Sequence, residues 1–188
     1  VREFEFRIYG DRVMDRQGRI VLLTGDGKGK TCAALGMSLR AAGHGMRVLF
    51  LQFIKHDAST GEIAALAKIP EIDILQEGLG FVPKPDNPRY SEHHHAAEVA
   101  MDKARDAIES GQYSTIVLDE ICGAVGCGLI TENEVLDLMS RIGPDQCLVL
   151  TGRGATDAMI EAADTVTDLQ HVKHAYEVGV PAQKGVEL

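Results

Sequence analysis

Thr24-Gly25-Asp26-Gly27-Lys28-Gly29-Lys30-Thr31 follows the apolar run Ile20-Val21-Leu22-Leu23 and opens the segment Cys32-Ala33-Ala34-Leu35-Gly36-Met37. A strand that enters a glycine-rich turn and leaves as a helix is a cradle for phosphate. Its glycines let backbone N–H groups converge on one anion, and the helix N-terminus adds partial positive charge. In such a cradle Lys30 reaches the phosphates and the Thr31 hydroxyl sits on a magnesium ion. The common loop has four residues between its first glycine and the Gly-Lys pair. Here only Asp26, Gly27 and Lys28 separate Gly25 from Gly29. The loop is one residue short and carries an extra cation at Lys28, so the expected site binds a nucleotide but departs from ordinary γ-phosphoryl transfer. The competing reading is a tight turn without a ligand. Two lysines crowded among glycines argue against it, because they repel unless an anion lies between them.

The 188 residues are 45% hydrophobic and 25% charged, which suits one compact domain spanning 1–188. A formal net charge of −9 disfavours a nucleic-acid partner, since phosphate contacts need a basic surface. Aromatic residues are 5% of the chain with no Trp, which argues against stacking platforms for single strands. No apolar run approaches membrane-spanning length and no signal peptide is visible, so no membrane partner and a cytoplasmic location are expected. Cys32, Cys122, Cys127 and Cys147 lack the paired spacing of a zinc site and read as free thiols in a reducing compartment.

Apolar runs and helical patterns alternate along the chain. Strands are expected at 20–24, 47–53, 72–76, 115–119, 147–151 and 166–169, several as unbroken apolar runs of the kind buried on both faces. Helices are expected at 30–42, 63–68, 91–109, 131–141 and 155–162. Ser91 is placed as a cap, and Thr131 with Glu134 as a capping box. This alternation predicts an α/β fold: three layers, an open and mostly parallel sheet of about six strands, helices on both faces. Ligands then bind beyond the carboxyl ends of the strands. The stretch from Gly78 to Tyr90, with Pro83, Pro85 and Pro88, is too irregular for helix or strand and reads as a functional or a disordered loop. The tail after His174 is irregular and is expected over the ligand site or a second subunit.

The strand ends carry the chemistry. Asp119 and Glu120 close the Ile116-Val117-Leu118 run, and with Thr31 they read as magnesium ligands. The alternative is a capping Asp beside a solvated Glu. Arg153, between Gly152 and Gly154, would offer paired donors to phosphate as charge builds on a leaving group. Lys55 ends Gln52-Phe53-Ile54 and would serve likewise, whereas Arg40 reads equally as a nucleotide contact or a surface ion pair. His93-His94-His95 cannot converge on one ion from consecutive helix positions and are expected to be solvated. No Ser/His/Asp or Cys/His relay is visible.

At these residues the chain resembles the phosphate-loop ATP:corrinoid adenosyltransferases. The resemblance rests on 24–31 with its shortened loop, Arg40-Ala41-Ala42-Gly43-His44-Gly45, Gln52-Phe53-Ile54-Lys55, Gly61-Glu62 and Leu118-Asp119-Glu120. It continues through Thr151-Gly152-Arg153-Gly154, Val172-Lys173-His174-Ala175 and Gly179-Val180-Pro181-Ala182-Gln183-Lys184-Gly185. It implies a P-loop NTPase-like, RecA-like sheet. It also implies transfer of the 5′-deoxyadenosyl group of ATP to the cobalt of a reduced corrinoid, with triphosphate leaving. Carried over by position, Thr24, Gly25, Asp26, Gly27, Lys28, Gly29, Lys30, Thr31 and Cys32 bind nucleotide, with Lys30 and Arg153 opposing the leaving charge. Thr31 and Glu120 hold magnesium with Asp119 nearby, and Arg40 sits near the nucleoside. Leu79 and Phe81 match a segment that presses aromatic side chains on the corrin's lower face and displaces the lower cobalt ligand; Leu79 and Cys32 depart from the pattern. A homodimer, an N-terminal arm at 1–16 and a reduced flavoprotein as electron donor follow from the same resemblance. An ATPase or small-molecule kinase, or a nucleotide-dependent corrinoid carrier, are the alternatives, separated from transfer by their products.

Overall fold

The computed structural model describes residues 18–57 and 59–186, so the arm expected at 1–16 lies outside the described residues. Six strands form one sheet: β1 (Arg19–Thr24), β2 (Val48–Gln52), β3 (Ile72–Gln76), β4 (Thr115–Asp119), β5 (Cys147–Thr151) and β6 (Thr165–Asp168). Their order is β3-β2-β4-β5-β1-β6, and every pairing is parallel. The helices are α1 (Lys30–Ala42), α2 (Gly61–Leu66), α3 (Tyr90–Ser110), α4 (Ile121–Gly126), α5 (Glu132–Ser140) and α6 (Asp157–Ala162). A 3₁₀ turn covers Ala175–Val178.

Alternation along each strand divides the core into two layers. Ile20, Leu22, Leu49, Leu51, Ile116, Leu118, Leu148 and Leu150 pack with Ala97, Ala100 and Met101 of α3, Ile121 of α4, Leu138 of α5 and Met159 of α6. Val21, Leu23, Val48, Phe50, Val117 and Val149 pack on the other face with Ala34 and Ala42 of α1 and Leu66 of α2. With both faces covered, the central strands carry apolar side chains at nearly every position, as their sequence indicates. Parallel pairing brings the carboxyl ends to one edge, where Gln52 stands opposite Asp119 and Leu23 opposite Thr151.

Three local expectations need correction. The helix α4 went unread because it is short and holds two glycines, Gly123 and Gly126. The cap of α3 is Arg89, with no side-chain hydrogen bond; Ser91 lies inside the helix and donates to Pro88 O at 3.2 Å. His93 is not solvated: it is 4% exposed, on the stripe of α3 that also buries Ala97 and Ala100. Burial, with Arg89 nearby, pushes its pKa below the usual histidine value. His94 and His95 do face solvent, where both meet Glu98. The capping box of α5 is present, with Thr131 and Glu134 satisfying each other's backbone N–H.

Candidate active site

The turn after β1 is pinned from behind. Gly27 N donates to Leu169 O at 2.6 Å, and Leu169 N donates to Thr24 O at 2.8 Å. A Cβ on Gly25 would lie 2.1 Å from Asp168 Oδ1, and one on Gly27 would lie 2.6 Å from Gln170 O. These two glycines are therefore demanded by the chain leaving β6, and the Gly27 amide is spent there rather than aimed at an anion. Gly29, at φ 115°, turns the chain into α1.

The two lysines of the loop separate. Lys30 folds inward, donating to Gly25 O at 2.6 Å and Gly27 O at 2.7 Å. Burial lowers its pKa below the usual lysine value, against the opposing pull of Glu120. Lys28 turns outward and donates to Val186 O at 2.7 Å. The tail thus lies along this chain's own loop.

Asp119 at the end of β4 is fully buried. Its Oδ1 accepts from Thr31 Oγ1 at 2.9 Å and Thr151 Oγ1 at 2.8 Å. Its Oδ2 accepts from Gln52 Nε2 at 3.1 Å and faces Lys55 Nζ at 3.3 Å. A carboxylate with both oxygens so engaged sits behind Thr31, not in the opening. Glu120 does face the opening. It occupies the left-handed region at φ 65°, the only described non-glycine residue to do so, and its N–H donates to Thr151 Oγ1 at 2.9 Å. Desolvation, and then Asp119, push the Glu120 carboxyl above its usual pKa. Space for its side chain comes from Gly123, where a Cβ would stand 3.2 Å from Glu120 Oε2. Beneath Gly152 the Cys122 thiol is pushed up to about 12 by burial and stays protonated. Gly152, at φ 137°, has no room for a Cβ, which would lie 2.8 Å from Cys122 Cβ; this close approach delivers exposed Arg153 to the opening.

The result is a cavity of about 570 Å³ at the strand ends. Lys28, Lys30, Lys55 and Arg153 line it against Asp26, Glu62 and Glu120; Thr31, Cys32 and Gly29 form its floor, and His174, Gly185 and Val186 of the tail form a wall. Of the loop residues expected at the nucleotide, Thr24 and Gly25 lie behind the lining. Arg40 is not brought in: it is exposed in the last turn of α1, roughly 15 Å along the helix axis from Lys30. The tail's wall residues were not singled out from sequence, although His174 and Gly185 sit in the two C-terminal blocks.

A second hollow, of about 580 Å³, opens beside the first and is lined by Ile54, Lys55, His56, Asp57, Thr60, Leu79, Gly80 and Phe81. The loop carrying Leu79 and Phe81 is bolted to the chain beyond β2. Gly80 N donates to Ile54 O at 2.8 Å, and a Cβ on Gly78 would lie 2.1 Å from the Ile54 carbonyl carbon. Phe81 is nonetheless 94% exposed, an aromatic face held out to solvent on a fixed mount. Lys55 lines both hollows.

No helix among the described residues is long and apolar enough to cross a membrane, and no described group of three or more His, Cys, Asp or Glu could hold a metal by itself. Thr31 and Glu120 nonetheless present a hydroxyl and a carboxylate to one opening. Hard oxygen donors, few in number, are what magnesium takes from a protein when phosphate and water complete its shell.

Among known structures, the flagellar accessory protein FlaH of Methanocaldococcus jannaschii superposes with a TM-score of 0.55 over 80% of this chain and 70% of that one. At 9% identity the likeness is one of fold. The corrinoid adenosyltransferase of Pseudomonas aeruginosa is 41% identical over 178 residues, covering 93% of this chain and 85% of that protein. That of Escherichia coli K12 is 34% identical over 176 residues, covering 94% and 88%. Residues 16–188 match the family described as ATP:corrinoid adenosyltransferase BtuR/CobO/CobP, and the chain belongs to that family.

Proposed function

We propose that this protein transfers the 5′-deoxyadenosyl group of ATP to the cobalt of a reduced corrinoid, cob(I)alamin or a precursor, in adenosylcobalamin biosynthesis or salvage. The observation that carries the reading is Lys55, shared by a cationic cavity suited to triphosphate and an apolar hollow suited to a corrin face. A nucleotide whose phosphates occupy the first would turn its ribose toward the second. The electron pair on cobalt(I) forms the Co–C5′ bond, the C5′–O bond breaks, and its electrons leave with the triphosphate. No proton moves, so the site needs no nucleophile or relay of its own.

Lys28, Lys30 and Arg153 oppose the charge that grows on the leaving group, and holding the 5′ carbon in line supplies the rest of the acceleration. Thr31 and Glu120 would hold magnesium, with Asp119 orienting Thr31 from behind. Once bound there, magnesium adds neutralising charge at the phosphates. Leu79 and Phe81 press on the lower corrin face and displace the lower cobalt ligand. A reduced flavoprotein supplies the electron, and a homodimer is the working unit, with exposed Val172, Tyr176 and Val178 as apolar surface for a second copy. Four free cysteines suit the reducing cytoplasm.

Replacing Lys30 tests the phosphate role. Lys30→Ala should lower transfer by about 10²–10³-fold, the scale of one lost charge-stabilising donor, with the fold intact by circular dichroism. Near-normal turnover would remove Lys30 from the reaction.

A further inference from the structure

His56 stands at the rim of the apolar hollow. Its Nδ1 lies 3.0 Å from Gly78 O. A carbonyl only accepts, so Nδ1 carries a proton and donates, and in that tautomer of the imidazole Nε2 is an acceptor. The other polar side chains of the hollow are engaged in whole or in part. Asp57 Oδ1 accepts from Ser59 N and Ser59 Oγ at 2.8 and 2.6 Å, and Thr60 Oγ1 donates to Asp57 O at 3.1 Å. Lys55 is drawn to Asp119 and Glu62 at 3.3 and 3.6 Å. Among the described residues, His56 Nε2 and the second oxygen of the Asp57 carboxylate are the side-chain acceptors at the rim beside Leu79 and Phe81.

A corrin has an apolar macrocycle and a periphery of carboxylate or carboxamide arms. A face lying on Leu79 and Phe81 brings those arms to the rim. An amide arm can give an N–H to Nε2. A carboxylate arm has none to give, and it meets a lone pair on Nε2 with the Asp57 carboxylate beside it. We propose that His56 selects the acceptor, favouring corrinoids with amidated arms over those with free carboxylates. This inference rests on the transfer reading above.

The test compares cobinamide, with amide arms, and cobyrinic acid, with carboxylate arms, each chemically reduced, on the full chain and on His56→Phe. The variant keeps an aromatic ring and removes the acceptor. The full chain should favour cobinamide in kcat/KM. In the variant that preference should shrink about three- to tenfold, the worth of one net hydrogen bond, chiefly through KM for cobinamide. An unchanged ratio, or equal rises in KM for both acceptors, would reduce His56 to a support for the loop and overturn the proposal. A parent chain that adenosylates neither acceptor would instead overturn the transfer reading itself.

Discussion

The Thr31 hydroxyl donates to Asp119 Oδ1 at 2.9 Å, tying the first turn of α1 to the end of β4. The same carboxylate accepts from Thr151 at the end of β5 and from Gln52 at the end of β2. One buried side chain therefore sets the spacing of three strand ends and the loop helix. Thr31, Lys55 and Glu120 are positioned by that knot, and the cavity inherits its shape from it.

Removing the knot should cost stability as well as activity. Asp119→Ala strands two hydroxyls and an amide and leaves Lys55 facing no carboxylate at that point. Lys55 is 32% exposed, so its share is screened by solvent. The expected loss is about 2–4 kcal/mol by urea unfolding, below the upper range for a broken buried pair. A loss under about 0.5 kcal/mol, the scale of an ordinary surface change, would show that the strand ends hold their spacing without it.

Glu120 gives a pH signature whose sign is fixed by its surroundings. Its carboxyl is raised above 4.5 in the fold by desolvation and by Asp119. A raised acid adds stability once protonated, below its unfolded value, and loses that contribution as pH climbs through the folded value. Glu120→Gln removes the buried charge, so the variant should be the more stable of the two at neutral pH. The difference should close as pH falls through the raised pKa toward 4.5, where the parent protonates. Thermal melts across that window check it. Parallel curves would mean that Glu120 is not desolvated, and Mg-ATP affinity should fall in the variant throughout.

Phe81 should separate reduction from alkyl transfer. At 94% exposure its truncation changes folding stability by under about 0.5 kcal/mol. Phe81→Ala should slow the reaction that starts from cob(II)alamin and a weak reductant more than the one that starts from prereduced cob(I)alamin. Equal losses in the two assays would argue against contact with the lower face.

The periodicity of the chain carried nearly all of the sheet. The strands at 72–76, 115–119 and 147–151 and the helix at 30–42 match to the residue; at 115–119 and 147–151 this is because two-sided burial leaves nearly continuous apolar runs. The site's cations and acids were readable for a related reason: in a parallel sheet the strand ends share one edge, so Lys55, Glu120 and Arg153 had to converge. What sequence could not convey was division of labour. Asp119 and Glu120 are neighbours in the chain, yet one is fully buried and saturated while the other faces the cavity, a difference made by the left-handed turn at Glu120. Gly27 lines the cavity, yet its amide and its missing Cβ both serve Leu169 and Gln170, which follow β6 about 140 positions later, a second duty that the loop motif does not show. Arg40 sits in a motif block yet lies in the last turn of α1, a separation from Lys30 that the helix expected at 30–42 already contained and that motif order alone does not show. His93 was hidden by its neighbours His94 and His95, since three alike residues mask the stripe that buries one of them.

The most direct test is stoichiometric. Protein, Mg-ATP and chemically reduced cob(I)alamin are combined without oxygen, and the light-sensitive adenosylcobalamin spectrum is followed alongside triphosphate. The account predicts one triphosphate for each cobalt–carbon bond formed. Orthophosphate released without a cobalt–carbon bond would contradict it and make the protein an ATPase.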